Sequence, residues 1–100
     1  MEKRRPAFDL ATIQAELDSP QRLRMTFTAR QGAVALRMTD RDVVQVIQRL
    51  TPRHFYKSMT THASAQAWQD VYHAEWSGVP LYVKFALDAQ GHFLISFKER

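Results

Sequence analysis

Cysteine is absent from all 100 residues. Disulfides and thiolate-bound zinc are therefore excluded, and the fold must hold by packing, as suits a reducing compartment. No apolar run approaches the ~18 residues needed to cross a bilayer. The opening MEKRRPAFDL carries basic residues without the continuous apolar stretch of a secretory signal. A cytoplasmic protein with no membrane partner is expected. Glycine is scarce, with three in the chain, and no Gly-rich loop is available to cradle nucleotide phosphates. Ser58 lacks the G-x-S-x-G elbow of a hydrolase nucleophile. The carboxylates are scattered, which removes a glycosidase-type acid pair. His54, His62, His73 and His92 show neither an HExxH helix nor another recognised ligand spacing. They are expected to be surface or hydrogen-bonded residues, and no metal or cofactor is called for.

What is present is a mildly basic chain with an uneven distribution of charge. The net charge of +4 suits an anionic partner without identifying one. Residues 1–54 hold ten basic and six acidic side chains, and residues 55–100 hold four of each. Yet Lys57, Lys84 and Lys98, three of the four lysines, lie in the neutral half, while nine of the ten arginines precede it. Lysines without a general basic surplus suggest placement, although solvated edge-strand lysines give the same pattern. At 45% apolar residues the chain supports one core and one domain.

The period of the apolar residues divides the chain. In AFDLATIQAELDSP, Asp9 reads as an N-cap, Phe8 and Ile13 stand where a hydrophobic staple falls, and Leu10, Ile13 and Leu17 recur at helical spacing up to Ser19-Pro20. RLRMTF alternates Leu23, Met25 and Phe27 with polar residues, which predicts a short strand. TARQGAVALRM reads as helix despite Gly32. MTDRDVVQVIQRLTP has a Thr39/Asp42 capping pair, an apolar stripe of Val43, Ile47 and Leu50, and a stop at Thr51-Pro52. From Phe55 the period becomes two. FYKSMTT, AWQDVYHAEW, LYVKFAL and HFLISFK read as strands, the last two joined as a hairpin across Asp88-Ala89-Gln90-Gly91. Helices first and antiparallel strands after make an α+β class, with helices packed on one face of the sheet. Residues 1–54 form the mainly helical half and 55–100 the sheet. Leu81, Val83, Phe85 and Leu87 should face the helices together with Phe93, Ile95 and Phe97, which leaves Tyr82, Lys84 and Lys98 on the open face. Alternation does not assign a face to Lys57 or Gln69.

Lysine, tyrosine and glutamine on one sheet suit phosphodiester chemistry on RNA, in which the 2′-hydroxyl attacks its own phosphate. Ammonium groups can neutralise charge on the non-bridging oxygens, each placed donor being worth ~3 kcal/mol in the transition state. Tyrosine or a lysine of lowered pKa can carry protons, typically for ~10²–10⁴ in rate. Gln69 can hold sugar or phosphate through its amide. Exposed strand lysines and glutamines are also common with no such role.

The segments FYKSMTT, WQDVY, LYVK and ISFKER, with the opening MEKR, resemble the MqsR family of bacterial toxins, the RNA-cleaving members of type II toxin-antitoxin pairs. The likeness is dense from Phe55 onward and loose through the helices. It implies a RelE-like RNase fold, growth inhibition through sequence-preferring cleavage of mRNA without metal, and a cognate MqsA-like antitoxin with a zinc-bound domain and a helix-turn-helix domain. Carried over residue by residue, the family's active-site set falls on Lys57, Gln69, Tyr82 and Lys98. Where the family has Arg followed by Pro, this chain has His73-Ala74. His73 then either weakens a phosphate contact, supplies a titratable RNA-facing group, or is a solvated strand residue. Lys84, one pleat from Tyr82, is a further candidate for tracking the RNA backbone, with a plain surface lysine as the alternative.

Two other classes compete. A non-catalytic RNA binder would stack single-stranded bases on exposed aromatics, but HFLISFKER lacks the K/R-G-F/Y-G/A-F-V pattern of an RNA-recognition sheet. The third is a pure protein-interaction module.

Overall fold

The computed structural model describes residues 1–60 and 67–100. His62 lies outside the described residues. In chain order come strand β1 (Glu2–Lys3), helices α1 (Leu10–Glu16), α2 (Phe27–Ala35) and α3 (Asp40–Arg49), and a 3-10 turn over Pro52–His54. Strands β2 (Phe55–Thr60), β3 (Trp68–Trp76), β4 (Val79–Leu87) and β5 (Phe93–Glu99) follow. The five strands form one sheet in the order β1-β2-β3-β4-β5, antiparallel throughout. This is the expected α+β arrangement of helices preceding a sheet.

Each helix starts where a side chain takes up an orphan backbone N–H. The Asp9 carboxylate accepts from Thr12 N–H at 3.2 Å to start α1. At α3, Thr39 Oγ1 accepts from Asp42 N–H at 3.1 Å while the Asp42 carboxylate accepts from Thr39 N–H at 2.8 Å, the predicted capping box. Gln14 of α1 donates to the carbonyls of Ile47 and Leu50, and Gln48 donates back to the Gln14 carbonyl. The last turn of α3 thus finds its acceptors' partners on α1.

The strand expected over RLRMTF is not formed. The Thr26 hydroxyl accepts from Ala29 N–H at 3.1 Å, so this residue caps α2 and Phe27 opens the helix, 77% exposed. What survives of the alternation is one parallel bridge, Met25 to Ile95, with Leu23 and Met25 packed at the core's margin. Local capping outweighed a period only three apolar residues long. Gly32 sits inside α2 because the helix lies close on β5: a Cβ there would stand 3.4 Å from the Phe97 ring.

Ile13, Leu17, Val43 and Ile47 from the helices meet Tyr72, Leu81, Val83, Phe85, Ile95 and Phe97 from the sheet, all of them buried. Leu87, expected to face inward, is instead 47% exposed. It stands at the end of β4 beside the 88–91 turn, past the cover of the helices. The turn itself is as expected, with Gly91 at φ 82° and the Asp88 carboxylate accepting from the N–H groups of Gln90 and His92. Strand β1 has no counterpart in the sequence reading, since two residues cannot display a period.

Candidate active site

The helix-covered face of the sheet is spent on the core, so chemistry is confined to the opposite face. There Tyr56, Lys57, Met59, Val71, Tyr82, Lys84 and Lys98 line an open cleft of about 240 Å³. Register explains the convergence: Lys57 lies opposite Val71, Val71 opposite Lys84, and Tyr82 opposite Lys98. No carboxylate is among the lining residues. A larger cleft of about 340 Å³ lies between α3 and the end of β3, lined by Arg49, His54, Glu75 and Trp76 among others. It contains none of the predicted site residues and mixes charge of both signs.

The face of Lys57, left open by alternation, is set by a β-bulge. Phe55 pairs with Tyr72 and Lys57 with Val71, so two residues of β2 are spanned against one step of β3. Phe55 points into the core, its ring meeting Tyr72 edge-on at 5.5 Å. Tyr56 and Lys57 then both project to the open face before Ser58 turns inward, fully buried. Gln69 lies on this face opposite Met59, one pleat from Val71, and is not part of the cleft wall. Three of the four carried-over residues thus share one cleft with Lys84, and Gln69 stands beside it.

An aromatic ladder borders the cleft. The Tyr56 and His73 rings are 4.5 Å apart, His73 and Tyr82 5.3 Å, and Tyr56 and Tyr82 6.1 Å. Arg4 stands 5.9 Å from the Tyr56 ring and Arg100 5.9 Å from that of Tyr82. His73 is therefore packed, at tilted angles, against both tyrosine rings rather than solvated, and its Nε2 is buried without a hydrogen-bond partner among the described residues. His54 instead accepts Thr51 N–H at 2.9 Å, and His92 lies 3.8 Å from the Asp88 carboxylate, as surface or hydrogen-bonded histidines should.

The charged groups differ in their proton affinity. The Lys57 ammonium donates to the Glu2 carboxylate at 2.7 Å, which raises its pKa and lowers that of Glu2. Lys57 is thereby fixed as a cation and is a poor base. Lys84 is the lysine pushed down, by burial and then by the neighbouring charge of Lys98. Tyr72, buried beside Asp70, is pushed up to about 12 and stays neutral in the core.

Burial, and then the charge of Arg100, lowers the pKa of His73 below its ordinary 6.5. The native protein leaves this ring neutral at pH values where the unfolded chain binds a proton. Its contribution to stability is complete above pH 6.5 and is lost as pH falls from there through the native pKa. His73→Phe keeps the stack and removes this titration. Urea unfolding between about pH 5 and 7 should show a shallower loss of stability in the variant. Identical slopes would mean that the native ring titrates freely.

The fold and the cleft together define an α+β protein whose open sheet face gathers three lysines and two tyrosines in one cleft. Residues 5–99 match the family described as "Motility quorum-sensing regulator, toxin of MqsA", and the chain belongs to this family of bacterial toxins. It is 33% identical over 100 residues to the mRNA interferase toxin MqsR of Escherichia coli (strain K12), a likeness covering 100% of both chains. Tyr56, Glu2, Arg4 and Arg100 were not singled out from the sequence. All four lie within segments already marked by the resemblance, Glu2 and Arg4 in MEKR, Tyr56 in FYKSMTT and Arg100 in ISFKER, but none was assigned a role there. No helix among the described residues is long and apolar enough to cross a membrane.

Proposed function

We propose that this toxin is a metal-independent endoribonuclease that cleaves mRNA on the open face of its sheet. The observation that carries the proposal is the meeting of Lys57, Lys84, Lys98 and Tyr82 in one cleft, three cations against the single carboxylate of Glu2 that pairs with Lys57. An RNA phosphate seated there lies among cationic donors. The 2′-oxygen of the preceding sugar attacks phosphorus, the P–O5′ bond breaks, and the products are a 2′,3′-cyclic phosphate and a 5′-hydroxyl. Negative charge grows on the non-bridging oxygens, which Lys57 and Lys98 neutralise. The 2′-hydroxyl gives up its proton as it attacks and O5′ takes one up as it leaves; Tyr82, beside Lys98 on the next strand, carries one of these two transfers, and solvent water the other. Gln69 holds the substrate alongside through its amide.

His73 and the Tyr56 and Tyr82 rings present π-faces on which bases can stack, and Lys84 follows the phosphate backbone. The partner we propose is an antitoxin of the MqsA kind, with a zinc-bound domain against the toxin and a helix-turn-helix domain on DNA. If the neighbouring gene product neither copurifies with this chain nor restores growth, that pairing is wrong.

The activity is tested by incubating the purified protein with a defined RNA in EDTA. Cutting is expected to continue, with a cyclic phosphate on the upstream fragment. RNA bound but left intact would identify a binding module, and RNA ignored would leave a protein-interaction domain.

A further inference from the structure

The first eight residues form a strap along the edge of the sheet. Strand β1 pairs Glu2 with Met59 and Lys3 with Ser58. Behind it, the buried Asp70 carboxylate accepts the N–H groups of Ala7 and Phe8, both at 2.9 Å. Lys3 sits 4.1 Å over the Trp68 ring. Anchored at both ends, the strap delivers the Glu2 carboxylate to the Lys57 ammonium at 2.7 Å.

A carboxylate is a poor choice on a face that must bind a polyanion, because it repels the phosphates the lysines attract. Nor does stability explain it, since a solvent-exposed ion pair contributes little. What the contact does supply is geometry. Lysine has a flexible four-carbon stem, and here its ammonium is held against one oxygen on a paired strand. We propose that Glu2 is a positioning residue of the cleavage reaction, holding the Lys57 ammonium at the mouth of the cleft where the phosphate charge develops. This rests on the reading of Lys57 as part of the active site. The pair also raises the pKa of Lys57 against burial and, to a smaller extent, the charge of Arg4, both of which act in the opposite direction.

The test uses the full-length protein, a short RNA carrying one cut site, and the variants Glu2→Gln, Glu2→Asp, Lys57→Ala and the Glu2→Gln/Lys57→Ala pair. Glu2→Gln is expected to lower kcat about tenfold, less than the ~10²-fold expected for losing the Lys57 donor itself. It should not raise KM, because a negative charge has left the RNA-binding face. The alkaline limb of its pH–rate profile should move to lower pH as Lys57 loses its counter-ion. Glu2→Asp should recover part of the rate, and the melting temperature should not change. In the Lys57→Ala background, Glu2→Gln should have no further effect on kcat.

If Glu2→Gln matches or exceeds the wild-type kcat while Lys57→Ala is impaired, the inference is overturned and the site stands. An equal loss from Glu2→Gln in both backgrounds would make Glu2 a group acting directly on substrate, and would also overturn it. Wild-type kcat in Lys57→Ala would bring down the site reading, and this inference with it.

Discussion

Tyr82→Phe is expected to cut RNA roughly 10²–10⁴-fold more slowly than the wild type, the range set by losing one positioned proton carrier. Binding should be nearly unchanged. The phenyl ring keeps the place of Tyr82 beside His73, 5.3 Å away, and under Arg100, while only the hydroxyl is lost. Single-turnover rates with saturating protein separate the two effects. A second arm replaces the 2′-hydroxyl at the cut site by hydrogen. That RNA should be uncut even by the wild type, because the nucleophile belongs to the substrate and the protein's part is to orient it and stabilise charge. Cleavage of the deoxy substrate would require an activated water. A Tyr82→Phe variant with full rate would move proton transfer to another group, with Lys84, the lysine whose pKa is pushed down, the next to examine.

Asp70→Ala is expected to destabilise the protein by roughly 3–5 kcal/mol, the loss of two hydrogen bonds to a charged acceptor. Asp70 is fully buried, and its two carboxylate oxygens are taken by the Ala7 and Phe8 N–H groups. Alanine leaves both donors without that acceptor in the interior, whereas Asp70→Asn keeps one acceptor and should cost less. Urea titration of the three proteins measures the difference. A loss below about 1 kcal/mol, the typical worth of a single neutral hydrogen bond, would show that the strap finds other partners. Cleavage should fall in Asp70→Ala even under conditions where the chain remains folded, because Glu2 is no longer delivered to Lys57.

The caps of the first and third helices, the hairpin, and the inward faces of β5 and of β4 as far as Phe85 were legible from spacing alone, because each is decided within a few neighbouring residues. Asp9, Thr39 with Asp42, and the Leu81, Val83, Phe85 series illustrate this. The RLRMTF strand was misread because Thr26 had two uses, as a polar strand residue or as a helix cap, and only the tertiary structure selects the second. Of the candidate site, Tyr82 and Lys98 follow from strand parity. Lys57 does not, since its outward face depends on the bulge at Tyr56, and bulges leave no periodic trace. Lys57 and Gln69 stood out by residue type, but placing them in one site with Tyr82 and Lys98 required the family resemblance. The Glu2 contact joins residues 55 positions apart and has no local signature at all.

That separation also orders events in time during synthesis. Strands β2 to β5 are neighbours both in sequence and in the sheet, so they can zip in succession as they leave the ribosome. Strand β1 is made first but has nothing to pair with until β2 is made, and joining them closes a loop of more than fifty residues at a high entropic cost. The cleft waits in turn for Lys98, near the far end of the chain. A nascent fragment that stops before β5 therefore lacks Lys98, one of the three lysines lining the cleft, and the lysine cluster on this face is not assembled until that last strand has paired.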